Sequence, residues 1–155
     1  MIISFTGTQR GLSSYQKQQL AFHLNDFKCT ELVNGACIGA DEEAALIAMR
    51  NGVNHLTFHP SNIFNKQAKA IMLFCREYGQ WDDVGNGVVA RFFPPKPPLE
   101  RNRTIVESSK ILLACPKEFK YTVRSGTWAT IRYAWGKVKI GWQVIIIPPI
   151  EREEE

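Results

Sequence analysis

Short apolar runs alternate with stretches of helical periodicity along the first half of the chain. "IISF" is β-branched and aromatic and reads as a strand, and "GTQRGL" follows it as a glycine-bearing loop. Ser13 and Gln16 have the spacing of a capping box, after which Leu20, Leu24 and Phe27 form one apolar face of a helix. "TELVNG" is a second strand and "GACIGA" a second glycine loop. Asp41 is placed to cap the helix "EEAALIAMRNG", which Gly52 can end in a left-handed conformation. "NHLTFHP" is a third strand, and Ala68, Ile71, Met72 and Cys75 mark the buried face of a third helix ending near Gly79.

From Gln80 to Pro98 the rhythm breaks. "QWDDVGNGVVARFFPPKPP" reads as a long loop insertion, of a length more typical of a functional segment than of a connector. A short helix from about Leu99 to Ser108 leads into the strand "KILLACP". The helix "TWATIRYAW", closed by Gly136, and the strand "GWQVIIIPP" complete the pattern. Strands alternating with helices predict an α/β fold, because parallel pairing needs crossover helices. The expectation is a Rossmann-like three-layer α/β/α domain over residues 1–149, with a parallel five-stranded sheet in the order 3-2-1-4-5. Residues 150–155 form an acidic tail. Ligands of such sheets bind beyond the carboxyl ends of the strands, where the strand order reverses. The loops "GTQRGL" and "KEFKYTVRSGT" converge there, with "GACIGAD" beside them.

Composition sharpens this picture in three places. No apolar run approaches the roughly 20 residues that span a bilayer, so no membrane partner is expected. Cys29, Cys37, Cys75 and Cys115 are far apart and show no metal-ligand spacing, which points to reduced thiols, a cytoplasmic location and no metal or other cofactor. The net charge of +4 is uneven: between Arg91 and Arg124 there are eight basic residues and three acidic ones. Such a surplus favours a phosphate-bearing partner.

Three loops offer the chemistry to hold one. In "RSGT", Gly126 permits close backbone approach, Ser125 and Thr127 carry hydroxyls, and Arg124 carries a fork of donors, all at the positive end of a helix. In "GTQRGL", Gly7 allows approach, Thr8 and Gln9 supply hydrogen bonds, and Arg10 can pair with phosphate. In "GACIGAD", Gly35, Ala36 and Gly39 leave room for a ring or ribose, and Asp41 either binds a ribose hydroxyl or caps the helix. This is not the GxGxxG dinucleotide fingerprint, and Asn34 stands where that fingerprint has an acidic residue. Arg101 and Arg103 flank one residue at a helix start and cannot share a helical face, so one faces the pocket. His59 is the histidine nearest the expected pocket. Trp81, Phe92 and Phe93 lie among basic residues, so nucleic acid, stacked on those rings, is an alternative partner.

Taken in order, "FTGTQRGLS", "NGACIGADEEAA", "ERNRTIV" and "RSGTWAT" resemble the loops of the SLOG superfamily of Rossmann-like proteins, over about Ile2 to Pro149. "RNRTI" and "SGTWAT" are similar to segments of the DprA/Smf family of DNA-processing proteins, which bind single-stranded DNA. "SGTWAT" and Arg101 also match the loop and the arginine of the LOG/lysine-decarboxylase-like phosphoribohydrolases, with Thr130 in place of that family's glutamate. The resemblance implies a nucleotide or nucleotide-derived ligand and a homodimer. Cleavage of an N-glycosidic bond needs a carboxylate to stabilise positive charge on the ribose or to handle the proton. Thr130 supplies none, so the expectation is binding without catalysis. Phosphoribohydrolase activity on nucleoside 5′-monophosphates is the enzymatic alternative.

Overall fold

The computed structural model describes residues 1–68, 77–122 and 125–151. The third helix expected from Ile71, Met72 and Cys75 therefore lies outside the described residues, as do Arg124 and residues 152–155 of the acidic tail.

The chain forms a mixed α/β structure around a mostly parallel sheet. The strands are β1 (Ile2–Gly7), β2 (Glu31–Asn34), β3 (His55–Phe58), β4 (Asp82–Gly85), β5 (Val88–Phe92), β6 (Ile111–Cys115) and β7 (Gln143–Ile146). The described helices are α1 (Ser14–Asp26), α2 (Ala40–Arg50), α3 (Pro98–Glu107) and α4 (Gly126–Trp135). The sheet has seven strands in the order β4-β5-β3-β2-β1-β6-β7, which corrects the expected count of five and the expected order. All neighbours pair in parallel except β4 and β5.

The two added strands lie in the segment read as a loop. Asn86 and Gly87 both have positive φ (56° and 75°), the left-handed pair that a tight β-hairpin turn requires. "VVARF" alternates buried and half-buried positions and pairs with β3 from His55↔Val89 to Phe58↔Phe92. Asn-Gly between β-branched runs is a hairpin signal, and the four prolines further along the segment obscured it. Phe92 is consequently a core residue stacked on Phe58 (centroids 4.9 Å apart), not a ring free for bases.

Local chemistry explains the helices. Ser13 and Gln16 make a reciprocal capping box at the start of α1. The buried Gln16 then donates from Nε2 to the carbonyls of Pro116 (2.8 Å) and Ile147 (3.0 Å), tying α1 to the ends of β6 and β7. Leu20 and Leu24 of α1, with Ala44 and Ala48 of α2, pack into one core with Ile3, Phe5, Leu32, Leu56 and Phe58. Val106 of α3 and Ala134 of α4 meet Leu112, while Trp128 and Ile131 meet Ala114. Ser4 in β1 donates to the Ile105 carbonyl (2.6 Å), fixing α3 against an interior strand of the sheet. Among the described residues no helix is long and apolar enough to cross a membrane.

Candidate functional site

β1 is flanked by β2 on one side and β6 on the other, so the strand order turns at its carboxyl end. A cleft of about 570 Å³ opens there. Thr6 to Arg10 form one wall, and Lys117, Glu118 and Thr122 after β6 form another. The first turn of α4 (Ser125, Gly126, Thr127) and one face of α3 complete it. That face is Pro98, Arg101, Asn102 and Ile105, the i, i+3, i+4, i+7 positions of a helix.

The wall after β1 is fastened from below. The Thr8 carbonyl accepts from Gly11 N–H (3.1 Å) and from Ala40 N–H (3.0 Å), and Thr8 N–H donates to the Cys115 carbonyl (3.2 Å). The Thr8 hydroxyl accepts from Arg10 N–H (3.2 Å), and Leu12 N–H reaches the Glu43 carboxylate (3.1 Å). At Gly7 a Cβ would collide with Ala40 and the Phe5 ring, so glycine is needed for packing. The Arg10 side chain stands exposed on the cleft rim and makes no ion pair among the described residues.

Among the described residues, the start of α4 leaves donors free. Ser125 caps the helix by accepting from Trp128 N–H (3.3 Å), and Ala129 N–H bonds the Ser125 carbonyl (3.0 Å). The amides of Gly126 and Thr127 take no acceptor among the described residues. Among the described residues nothing lies within 4 Å of where a Gly126 Cβ would point, and no acidic residue sits in the first turn. N–H groups at the positive end of a helix favour an anion.

The "GACIGAD" loop does something other than expected. The space at Gly35 is filled by Arg101, whose Nη1 donates to the carbonyls of Gly35 (2.9 Å) and His59 (3.3 Å). Gly39 has φ +83° and lies beneath the Gln9 carbonyl, so neither glycine leaves a ribose pocket. Ala36 is fully buried, with φ +54°, held by Asn34 through its N–H (2.9 Å). Asp41 lines the cleft but caps no helix. Gly39 is the N-cap of α2, and the Asp41 carboxylate instead accepts from Cys37 N–H (3.1 Å). Burial raises the Asp41 carboxyl to about 6, with the nearby Arg101 guanidinium pulling the other way.

Of the other expected residues, Gly35, Ala36, Gly39, His59, Arg103 and Thr130 do not line the cleft, and Arg124 lies outside the described residues. His59 is buried and stacked on Phe93 (4.7 Å, 11°), and burial beside Lys96, Arg91 and Arg101 lowers it to about 4. A neutral, packed ring with only its carbonyl turned to Arg101 is a structural histidine. The Thr130 hydroxyl donates back to the Gly126 carbonyl (3.0 Å), as helical threonines do when buried. Arg103 is exposed, its guanidinium 5.4 Å from the Tyr133 ring. Trp81 is engaged with Arg91 at 4.3 Å.

Sequence reasoning missed Ser61, Lys66, Asn102, Lys117, Glu118 and Thr122, all of which line the cleft. Glu118 and Lys117 form an ion pair (3.6 Å), and the other Glu118 oxygen is buried without a partner among the described residues. Asn102 was legible from its i+4 spacing to Pro98. Ser61 and Lys66 arrive from beyond β3 and left no local signal. In all, Arg10, Lys66, Arg101 and Lys117 face Asp41 and Glu118, so the lining is cationic on balance. Among the described residues no cluster of His, Cys, Asp or Glu could hold a metal ion. No protein-family model matches the chain, and no curated protein matches it.

Proposed function

We propose that this chain is a Rossmann-like module of the SLOG type. It binds a nucleotide or nucleotide-derived ligand by a phosphate group at the start of α4 and does not transform it. The observation that carries the reading is the pair of amides at Gly126 and Thr127 that take no acceptor among the described residues, opening on a cleft with a cationic lining. The cleft volume, about 570 Å³, falls within the roughly 300–1,000 Å³ usual for small-molecule sites. Arg10 pairs with the phosphate, and Asn102, Thr122 and Gln9 supply hydrogen bonds to the remainder of the ligand. A homodimer in the cytoplasm belongs to the same proposal.

Binding without turnover follows from Thr130. It is buried outside the cleft with its hydroxyl satisfied, so no carboxylate stands at the position where the phosphoribohydrolases have one. Calorimetric titration with AMP, ADP-ribose and cyclic nucleotides tests the proposal. At least one of these binds, Arg10→Ala weakens that binding by roughly 10-fold, and affinity falls as salt rises. Silence from the whole panel sinks it.

One observation favours a second reading. Glu118 places a buried carboxylate oxygen, without a partner among the described residues, on the cleft wall, a group able to take part in N-glycosidic cleavage. Free base released from a nucleoside 5′-monophosphate by purified protein, and lost in Glu118→Gln, would replace binding with hydrolysis.

A further inference from the structure

A second, smaller cavity of about 180 Å³ lies between α3 and α4. The consecutive residues of α3 divide between the two spaces: Arg101 lines the cleft, Asn102 lines both, and Arg103 lines the smaller groove. Arg132 joins Arg103 there, over a floor that includes the buried Thr130. The two guanidiniums are held by aromatic rings, Arg103 by Tyr133 at 5.4 Å and Arg132 by Tyr121 at 5.7 Å. Arg132 also donates to the Tyr121 hydroxyl. Such stacking orients a planar cation while leaving its edge donors available. No carboxylate lines the groove, and neither arginine forms an ion pair among the described residues. Arg91 and Lys137, by contrast, have Glu31 and Glu107 within 4 Å.

We propose that the cleft's ligand carries a second phosphate, which Arg103 and Arg132 take up in the groove between α3 and α4. This rests on the nucleotide reading above and narrows it. The groove is too small for a whole nucleotide and suits one anionic end group. From Gly126 to Thr130 or Arg132 is four to six helical residues, or about 6–9 Å along α4. Two phosphorus atoms that share one bridging oxygen lie closer than that, so a pyrophosphate alone does not reach. Two phosphates separated by one ribose do. That chemistry has two sources, a nucleoside 3′,5′-bisphosphate and a 5′-phosphorylated dinucleotide. Asn102, shared by both spaces, is the bridge over which either passes.

The test is calorimetry with three probes: AMP, adenosine 3′,5′-bisphosphate and 5′-phosphorylated diadenylate. At least one doubly phosphorylated probe binds roughly 10-fold or more tightly than AMP. The variant R103Q/R132Q removes that advantage and leaves AMP affinity unchanged, and R132Q alone removes part of it. The probe that gains shows which source is meant. AMP binding with no advantage for either larger probe, or an advantage that survives R103Q/R132Q, overturns the inference and spares the nucleotide reading. No binding by any of the three overturns the inference, and silence from ADP-ribose and cyclic nucleotides as well overturns the nucleotide reading with it. Both arginines are exposed, so the folded state of each variant is checked by its unchanged thermal transition.

Discussion

Two helices begin at the carboxyl edge of the sheet beside a glycine, and they treat their free amides in opposite ways. α2 is closed by the protein itself. Its first amide, on Ala40, bonds the Thr8 carbonyl (3.0 Å), and its first turn carries Asp41, Glu42 and Glu43. Glu43 is further engaged by Leu12 N–H and by Lys17 (3.6 Å). α4 has no acidic residue in its first turn and, among the described residues, its first two amides take no acceptor and nothing stands above its first glycine. Resident carboxylates satisfy the positive end of α2 and repel a second anion, whereas the first turn of α4 carries no such charge. A glycine before a helix is therefore ambiguous until the first turn is read with it.

The comparison can be broken by substitution. The closed side is structural, so changes there cost stability. Arg101→Ala removes the donor to two buried carbonyls and the cation beside Asp41, and lowers stability by about 3–5 kcal/mol in urea unfolding. Gly39→Ala sets a methyl against the Gln9 carbonyl at a φ of +83° and lowers it by roughly 2–4 kcal/mol.

The third test sharpens the electrostatics. Folding raises Asp41 to about 6, above the ordinary carboxyl value, so its contribution is full below about pH 4 and is lost as pH rises through 6. Folding lowers His59 to about 4, so its contribution is full above pH 6.5 and is lost as pH falls toward 4. The two slopes oppose each other in the wild type. In Asp41→Asn the falling slope disappears, and stability rises with pH from 4 to 6.5. The change relative to wild type is about 2–3 kcal/mol across that window. An unchanged pH profile would contradict the burial of this carboxyl.

On the open side the effects on stability are smaller. Ser125→Ala removes the cap on Trp128 N–H and costs about 1 kcal/mol. Gly126→Ala changes stability by less than about 1 kcal/mol, because its methyl meets only open space. Under the proposed function both variants weaken nucleotide binding, while Gly39→Ala acts through the fold. Equal stability losses at Gly39 and Gly126 would erase the distinction.

How far the sequence reached follows from the same residues. The capping box at Ser13 and Gln16, the strands β1 to β3, β6 and β7, and the meeting of the Gln9 and Ser125 loops are all local signals that the fold keeps. The β4–β5 hairpin was written in Asn86-Gly87, but Pro94, Pro95, Pro97 and Pro98 gave the whole stretch the look of a loop. Gly35 and Gly39 misled because free space and filled space have the same sequence. Arg101, 66 positions away, decides it at Gly35, and the Gln9 carbonyl decides it at Gly39. Ser61, Lys66 and Glu118 reach the cleft through tertiary placement, which no periodicity announces.

The bolting of the Thr8–Leu12 loop to α2 and β6 has a kinetic and entropic corollary. A backbone already held by three links to β6 and α2, and by one bond within the loop, has little freedom left to surrender when a guest arrives, so this wall adds almost no ordering penalty to association. Hydrogen–deuterium exchange at the Thr8, Gly11 and Leu12 amides is accordingly slow in the empty protein and equally slow in the occupied one. Under the proposed function, adaptation on binding is confined to side chains, with Arg10 and Gln9 turning on a fixed frame.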